Sequence, residues 1–483
     1  MNIAILTDYP VVSFTCGPSL ATQALKRYLE NRGHSVTIVG PRPGPDDPPA
    51  TPGSLFLSSV TFRAHPGVQM PFAWPPQAFD NAQKFDVIHS HANSLLMHWA
   101  PMMREMHGIP CLSTNTIYLP GFAQHLLPNK LYSIEWIRHR WASISPKVEA
   151  SFAKTYNSGD GLIVQCQALA AYWKEFGLDV PLHTIPRPID VAIFDHPLGP
   201  DPFKANFPKG QRIIVVCRHA REKDVDKVIR VFASHVLPRL PDASLTLVGD
   251  GLEHRPLMQL AEKLGVAHRC DFPGELPQKD LRHYYGHADV FAYASLTETY
   301  GQVISEALWC GVPVVAIDDK MGVAFQVQDG HDGILVPSGP GEHDRLGDAL
   351  HQVLAHPEQR RVLGEHAAVR ARTRVAPDVV YGQYEAAYAS GIEHIRQHPP
   401  VRFDVKSPRA WARMIDRHLF PWFALQGMLV SVGSLRGAKG YDLPGKDVQL
   451  GALPEPVVAA PPAPASAASS AVARVPPASA TAP

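Results

Sequence analysis

Short apolar runs alternate along this chain with longer segments of helical period, and the alternation breaks off once and then restarts. The runs "IAIL" (3–6), "SVTIV" (35–39), "DVIHSH" (86–91), "PCLST" (110–114) and "GLIVQ" (161–165) are almost continuously apolar, as strands buried on both faces are. Between the first two, Leu20, Ala24, Leu25, Tyr28 and Leu29 mark one face of a helix from about Ser19, and Gly33 stands where a helix C-cap belongs. After "IPRPID" (185–190) comes the Pro-rich stretch "DHPLGPDPFKANFPKGQ", and the pattern resumes in "RIIVVCR" (212–218), "SLTLVGDG", "DVFAYAS" (289–295), "PVVAI" and "GILVP". Such a sequence demands parallel sheets with helices on both faces. A chain of 483 residues suits two cores rather than one. The expected fold is α/β, with Rossmann-like domains at 1–190 and 191–378 facing across a cleft, and a helix at 379–400 crossing back over the first.

Charge and cysteine content exclude some partners. Lys plus Arg and Asp plus Glu each total 45, so no broad basic field invites nucleic acid, and an anionic ligand must be held locally. Six scattered cysteines without a C-x-x-C pair suit reduced thiols in the cytoplasm rather than a zinc or disulfide framework. The start "MNIAILTDYP" lacks the positive flank and long apolar region of a signal peptide and is expected to be the first strand.

The stretch "ETYGQVISEALWCGVPVVA" (298–316) sets two glutamates eight positions apart. The strand at 289–295 leads to Glu298, and a helix beginning near Gly301 or Gln302 buries Val303, Ile304, Ala307 and Leu308 before Cys310 and Gly311 end it. Glu298 is then at the carboxyl edge of the sheet and Glu306 inside the helix, ~12 Å along it. Between them, the N–H groups of Tyr300, Gly301, Gln302 and Val303 open a helix N-terminus, which favours phosphate. A sugar, a diphosphate and a ribose in a row suit this spacing. The bland alternative is a solvated loop glutamate and a surface helix glutamate.

The glutamate pair resembles the E-x7-E signature of retaining nucleotide-sugar glycosyltransferases of family 4, which have the GT-B fold. "CRHAREKD" (217–224) is similar to that family's G-R-L-x-x-E-K-G segment, "LVGDGLEHRPL" (247–257) to its V-G-D-G-P turn, and "DFPGELPQKDL" (271–281) to its F-x-G loop. The resemblance, which extends over most of residues 1–395, implies that Glu306 binds ribose hydroxyls and Glu298 the donor sugar. It implies that Arg218 and Lys223 hold the diphosphate and stabilise the departing nucleoside diphosphate without a metal. Ser295 matches the serine before the signature, the backbone around Gly274 the seat of the base, and Gly17 a loop facing the diphosphate. The donor so implied is a UDP- or GDP-hexose, and no cofactor is expected. The chain departs from the pattern at Cys217 and Asp224, where the family has glycines, and at Phe325 in "MGVAF", where it has glutamate.

On the acceptor side, residues 89–128 resemble the H-T-H-x-P and T-Y-H-T-x-Y segments of members that glycosylate diacylglycerol or phosphatidylinositol. His89 and His91 fall in the first, two apart and on one face of a strand, as acceptor contacts or as satisfied histidines at the sheet edge. In the second, the family's active-site histidine falls on Asn115, which cannot serve as a general base; Tyr118 and His125 are the neighbouring candidates. Residues 1–190 would thus be the acceptor domain and 191–378 the nucleotide-sugar domain. The implied reaction is hexosyl transfer with retention to a hydroxyl acceptor, a membrane lipid such as diacylglycerol. Alternatives are a soluble or polysaccharide acceptor, or a nucleotide-sugar-binding protein without turnover. An epimerase would need acid and base residues that are not identifiable, and a dinucleotide oxidoreductase a G-x-G-x-x-G after a strand, which is absent.

Past the last helix of this pattern, residues 401–440 set Arg409, Arg413 and Arg417 at i, i+4, i+8, with Trp411, Met414, Ile415, Leu419 and Trp422 favouring the other side. A basic, Trp-bearing helix suits an anionic membrane surface, and the uncharged run from Leu419 to Leu435 is too short and too broken to span. The alternative is that it packs on the protein itself. The Pro/Ala-rich stretch 441–483 is expected to be disordered. Together these place the protein in the cytoplasm, peripheral at the inner face of the plasma membrane.

Overall fold

The computed structural model describes residues 1–8, 17–42, 54–61, 69–73, 84–92, 95–116, 135–401, 403–404 and 406–419. Among them lie two sheets. The first comprises β1 (Asn2–Leu6), β2 (Ser35–Pro41), β3 (Leu55–Thr61), β4 (Gln69–Ala73), β5 (Val87–Ser90), β6 (Cys111–Thr114), β7 (Gly161–Val164) and β8 (Leu182–Thr184), in the order β4-β3-β2-β1-β5-β6-β7-β8. Every pairing is parallel except β3 with β4. The second comprises β9 (Arg212–Val216), β10 (Ser244–Val248), β11 (Cys270–Gly274), β12 (Val290–Tyr293), β13 (Val314–Asp318) and β14 (Gly333–Pro337). It is wholly parallel in the order β11-β10-β9-β12-β13-β14. In each sheet the strand order reverses once, between β1 and β5 and between β9 and β12, and open parallel sheets leave a crevice at the carboxyl ends there.

The helices that position the candidate site and its surroundings are α1 (Gly17–Asn31), α2 (Leu95–His107), α3 (Glu135–Asn157), α4 (Gln167–Glu175), α5 (Val225–Val231), α6 (Gln278–His287), α7 (Gln302–Trp309), α8 (Gly322–Gln326), α9 (Glu342–Ala355), α10 (Pro377–Gln397) and α11 (Pro408–Met414). Strand period sorts the first sheet's side chains onto two faces. Ala4, Leu6 and Ile88 pack with Leu96, Trp99 and Met103 of α2, whereas Ile3, Ile5 and Val87 pack with Leu25 and Leu29 of α1. Val380, Tyr381, Tyr384 and Tyr388 of α10 join that second cluster, so the helix that follows the second sheet is built into the core of the first.

The C-terminal helix α11 begins where Ser407 caps it, its side chain accepting from the Ala410 N–H at 3.3 Å, with Pro408 in the first turn. Its buried line, continued through the π-turn Ile415–Leu419 that follows it, is Ala410, Met414 and His418, at i, i+4, i+8. Met414 enters the cluster under α2, Trp411 packs beside it against Phe403, and Arg417 and His418 meet Glu105 of α2. For residues 408–419 this corrects the expectation of a membrane-facing apolar side. Ile415 points outward, 45% exposed, and the apolar line covers α2 instead. Arg409 and Arg413 remain on the outer side. The run from 420 to 440 and the stretch 441–483 lie outside the described residues. No helix among those described is long and apolar enough to cross a membrane.

Since Met414 is 1% exposed, Met414→Ala should cost about 2–4 kcal/mol in urea denaturation, while Arg413→Ala on the outer side should stay within about 0.5 kcal/mol. Equal, negligible effects would mean that α11 is not docked in solution.

Candidate functional site

Both motif segments of the second sheet leave the two strands that flank its order reversal. "CRHAREKD" follows β9 and Glu298 follows β12. The chain turns sharply after β9 because Gly249 and Gly251 let the β10 turn press against it. A Cβ on Gly249 would sit 1.9 Å from the Cys217 carbonyl oxygen, and one on Gly251 would sit 2.4 Å from that of His219. Asp224, standing where the resembled family has glycine, takes the left-handed conformation itself (φ 48°, ψ 35°), which aspartate tolerates better than most side chains. Its carboxylate pairs with Lys227 at 2.9 Å. Arg218 is half exposed and held by Glu222 at 3.0 Å.

Lys223 and Glu298 form a buried ion pair across the reversal point. Tyr293, from β12, donates to the same carboxylate oxygen at 2.7 Å. Burial pushes the Glu298 carboxyl up, but Lys223 first and then Tyr293 outweigh it and hold it below its ordinary range. Burial likewise pulls Lys223 down and Glu298 overrides it, so the ammonium is held above its usual value. Both groups stay charged. Ser295, fully buried, donates to the Glu222 carbonyl at 3.1 Å, tying the end of β12 to the cationic turn.

Glu306 lies one helix away under different conditions. It is 3% exposed and, among the described residues, has no cation at its carboxylate; Gln278 donates to it at 3.0 Å and Tyr285 at 3.1 Å. Burial pushes its pKa up to about 7 against those two bonds. Gln278 and Tyr285, seven apart on one face of α6, are functional neighbours that the sequence reading did not single out, and so are Tyr293 and Glu222. Their signal was available in the helical spacing after the "FPG" loop, but nothing local names Glu306 as their partner. Gly274, the last residue of β11, has φ +80° and accepts the Gly249 N–H at 2.8 Å.

Gly301 caps α7 with φ +78°. Tyr300 and Gln302 send their side chains away from the cationic turn, to the Arg187 carbonyl at 3.4 Å and the Pro188 carbonyl at 3.2 Å, while Val303 packs on the second core. Only the backbone of this turn is therefore placed to meet a phosphate. Gly322 makes the next wall. A Cβ there would be 2.6 Å from the Glu298 carbonyl oxygen, to which its N–H donates at 3.1 Å. The Asp319 carboxylate accepts from the Met321, Val323 and Ala324 N–H groups that open α8. Phe325, in place of the family's glutamate, lies under Arg374 at 4.6 Å and packs with Met321 on the cluster of Trp173 and Leu169 from α4. What the substitution removes as a polar partner it returns as an apolar bridge between the two sheets' helices.

At the first sheet's reversal point, His89 is fully buried with both ring nitrogens occupied, by Tyr388 Oη at 2.8 Å and Thr114 Oγ1 at 2.7 Å. This corrects its assignment as an acceptor contact: it is the satisfied histidine of the alternative reading, fastening α10 to the sheet. His91 differs. Its Nδ1 meets Thr22 of α1 at 2.9 Å, while Nε2 has no hydrogen-bond partner among the described residues. Burial, and then the charge of Arg187, lower its pKa to about 3, so the ring is neutral. Asn115 is buried and donates to Tyr156 at 3.3 Å. Gly17 is the first residue of α1. Tyr118 and His125 lie outside the described residues.

Residues 17–193 match the family described as Glycosyltransferase Family 4, and residues 200–370 match Glycosyl transferases group 1. The chain is 28% identical to a GDP-mannose-dependent alpha-mannosyltransferase of Mycobacterium tuberculosis, over 77% of this chain and 93% of that protein. It is 25% identical to the alpha-monoglucosyldiacylglycerol synthase of Streptococcus pneumoniae, over 74% and 79%. Among solved structures it is similar in fold to sucrose-phosphate synthase of Thermosynechococcus elongatus, with a TM-score of 0.61 and 21% identity over 80% of this chain and 98% of that one.

The Glu306 environment yields a pH signature of the free protein. Its folded pKa is raised from 4.5 to about 7, so between those values the native state keeps a proton that the unfolded chain has lost. Stability therefore falls as pH rises from about 4.5 to about 7 and is level in this term above that. Glu306→Gln should flatten that decline, on the order of 3 kcal/mol in urea denaturation series. An unchanged slope would show that Glu306 titrates normally.

Proposed function

The chain belongs to glycosyltransferase family 4 and has the GT-B fold, and from that premise we propose that it moves a hexose from a nucleoside diphosphate sugar to a hydroxyl acceptor with retention, giving an α-glycoside. The observation that carries this reading is the meeting of Arg218, Lys223 and Glu298 at the second sheet's reversal point, with the start of α7 beside them. A diphosphate there would take the half-exposed guanidinium of Arg218, and Lys223, whose ammonium has three donors, would bind it without releasing Glu298. As the anomeric carbon–oxygen bond breaks, its electron pair goes to the phosphate, and these two cations stabilise the charge. The acceptor oxygen bonds to the anomeric carbon from the same face, its proton passing to the departing phosphate oxygen. No step in this scheme requires a metal. Glu306 would accept the ribose hydroxyls, which favours its ionised form.

A membrane lipid such as diacylglycerol is the acceptor this reading favours, with the protein at the inner face of the membrane. Support comes from the Streptococcus pneumoniae relative, an alpha-monoglucosyldiacylglycerol synthase, and from Arg409 and Arg413 on the outer side of α11. His91 Nε2, at the carboxyl end of β5 and without a hydrogen-bond partner among the described residues, suits a hydrogen bond with an acceptor hydroxyl.

The test is transfer from UDP- and GDP-hexoses to diacylglycerol in anionic vesicles and to soluble glycosides. Lys223→Ala and Glu306→Ala should each weaken donor binding at least about tenfold, the scale of about 1.4 kcal/mol. Glu298→Gln should lower kcat more than donor affinity, and donor should bind more tightly as pH rises through about 7. Chelator should leave the rate unchanged. Unchanged donor affinity in both alanine variants would sink the site assignment, and transfer to soluble acceptors alone would sink the lipid.

A further inference from the structure

On the outer side of the second sheet, away from the donor residues, His235 meets the first turn of α9. The helix that starts as α5 runs into a π-turn over Phe232–Val236, a bulge that re-aims side chains and recurs at functional sites. Gly347 of α9 lets the two helices approach so closely that a Cβ there would lie 2.4 Å from the Cβ of His235. The imidazole is thereby laid between His343 and Asp344. Its Nε2 is 3.0 Å from Asp344 Oδ1, His343 Nδ1 is 4.0 Å from the same oxygen, and the three candidate ligand atoms lie within 4.8 Å of one another.

The hydrogen-bond network fixes what His235 offers. Ser234 Oγ donates its one proton to the Arg230 carbonyl at 2.8 Å, so at 2.7 Å from His235 Nδ1 it can only accept. In the neutral ring Nδ1 then carries the proton, and Nε2 turns a bare lone pair toward a carboxylate oxygen 3.0 Å away. Two acceptors at that distance repel unless a proton or a metal cation lies between them. A hydroxyl on the far nitrogen is also the kind of outer partner that orients a metal-binding histidine. Arg230, whose charge acts on His343, is itself engaged by Asp226 at 3.5 Å.

We propose that His235, His343 and Asp344 bind a divalent transition-metal ion of the zinc class, which staples the π-turn to α9 and leaves a coordination position for water. Two imidazoles and one carboxylate suit zinc, cobalt or nickel rather than magnesium. The separations bracket the roughly 3.3 Å ligand-to-ligand edge of a tetrahedron with bonds of about 2.0–2.1 Å. The site is independent of the donor reading, because none of its three ligands contacts the cationic turn or the glutamate pair.

Full-length protein stripped with chelator and titrated with zinc chloride should take up one equivalent saturably and unfold at a higher temperature. Cobalt chloride should give the visible bands of a tetrahedral site. His235→Ala and Asp344→Asn should each weaken zinc at least tenfold, and His366→Gln, in the separate His331–His366 stack at 4.1 Å, should not. The Asp344 side chain is 74% exposed, so its substitution leaves the fold intact whatever His235→Ala does. Absence of saturable zinc and cobalt binding, or wild-type affinity in both variants, would overturn the proposal in favour of a protonated His235 paired with Asp344.

Discussion

Parallel strands cannot be joined by a tight turn. Each must return to the start of the sheet through a crossover, and those crossovers pack on one face until the strand order reverses. In this chain the reversals fall between β1 and β5 and between β9 and β12, and almost every feature of the candidate site depends on them. At each reversal the connections leave toward opposite faces, so the carboxyl ends are open and the loops after the flanking strands converge there. Arg218, Lys223 and Glu298 come together for that reason, as does His91 with Thr22.

Opposite charges buried in such a crevice have to balance. Lys223 and Glu298 remain ionised because each is the other's partner, with Tyr293 added to the carboxylate. Glu306, at the same depth, has two neutral donors among the described residues and loses acidity through burial. Two glutamates of one motif are thus given different protonation behaviour by their surroundings. One is a fixed charge beside the cations; the other titrates near neutrality and can respond to a ligand.

The two sheets are held in register by polar and apolar ties outside the charged cluster. Tyr300 and Gln302 bond the Arg187 and Pro188 carbonyls in the segment after β8, Tyr388 bonds His89, and Phe325 with Met321 packs on α4. Several of these residues sit within or beside the signature itself. The segment that contacts the ligand in the proposed reaction also sets how the second sheet meets the first, so substitutions at Tyr300 or Phe325 act on both.

Sequence alone determined what depends on near neighbours. The continuous apolar runs marked the buried parallel strands, helical period and C-cap glycines marked the crossovers, and the eight-residue spacing set Glu298 before a helix and Glu306 within it. Strands β3 and β4 escaped because "LFLSSVT" mixes serines into its run and "QMPFA" carries a proline, tolerated where β4 forms the sheet edge. Only tertiary structure decided partnership. That His89 is satisfied while His91 Nε2 is not, that Lys223 meets Glu298 from 75 positions away, and that Met414 covers α2 instead of facing outward all depend on chain ends of distant elements being brought together. Local propensity is written residue by residue, whereas burial and pairing are properties of a surface that does not exist until the sheets have closed on their helices.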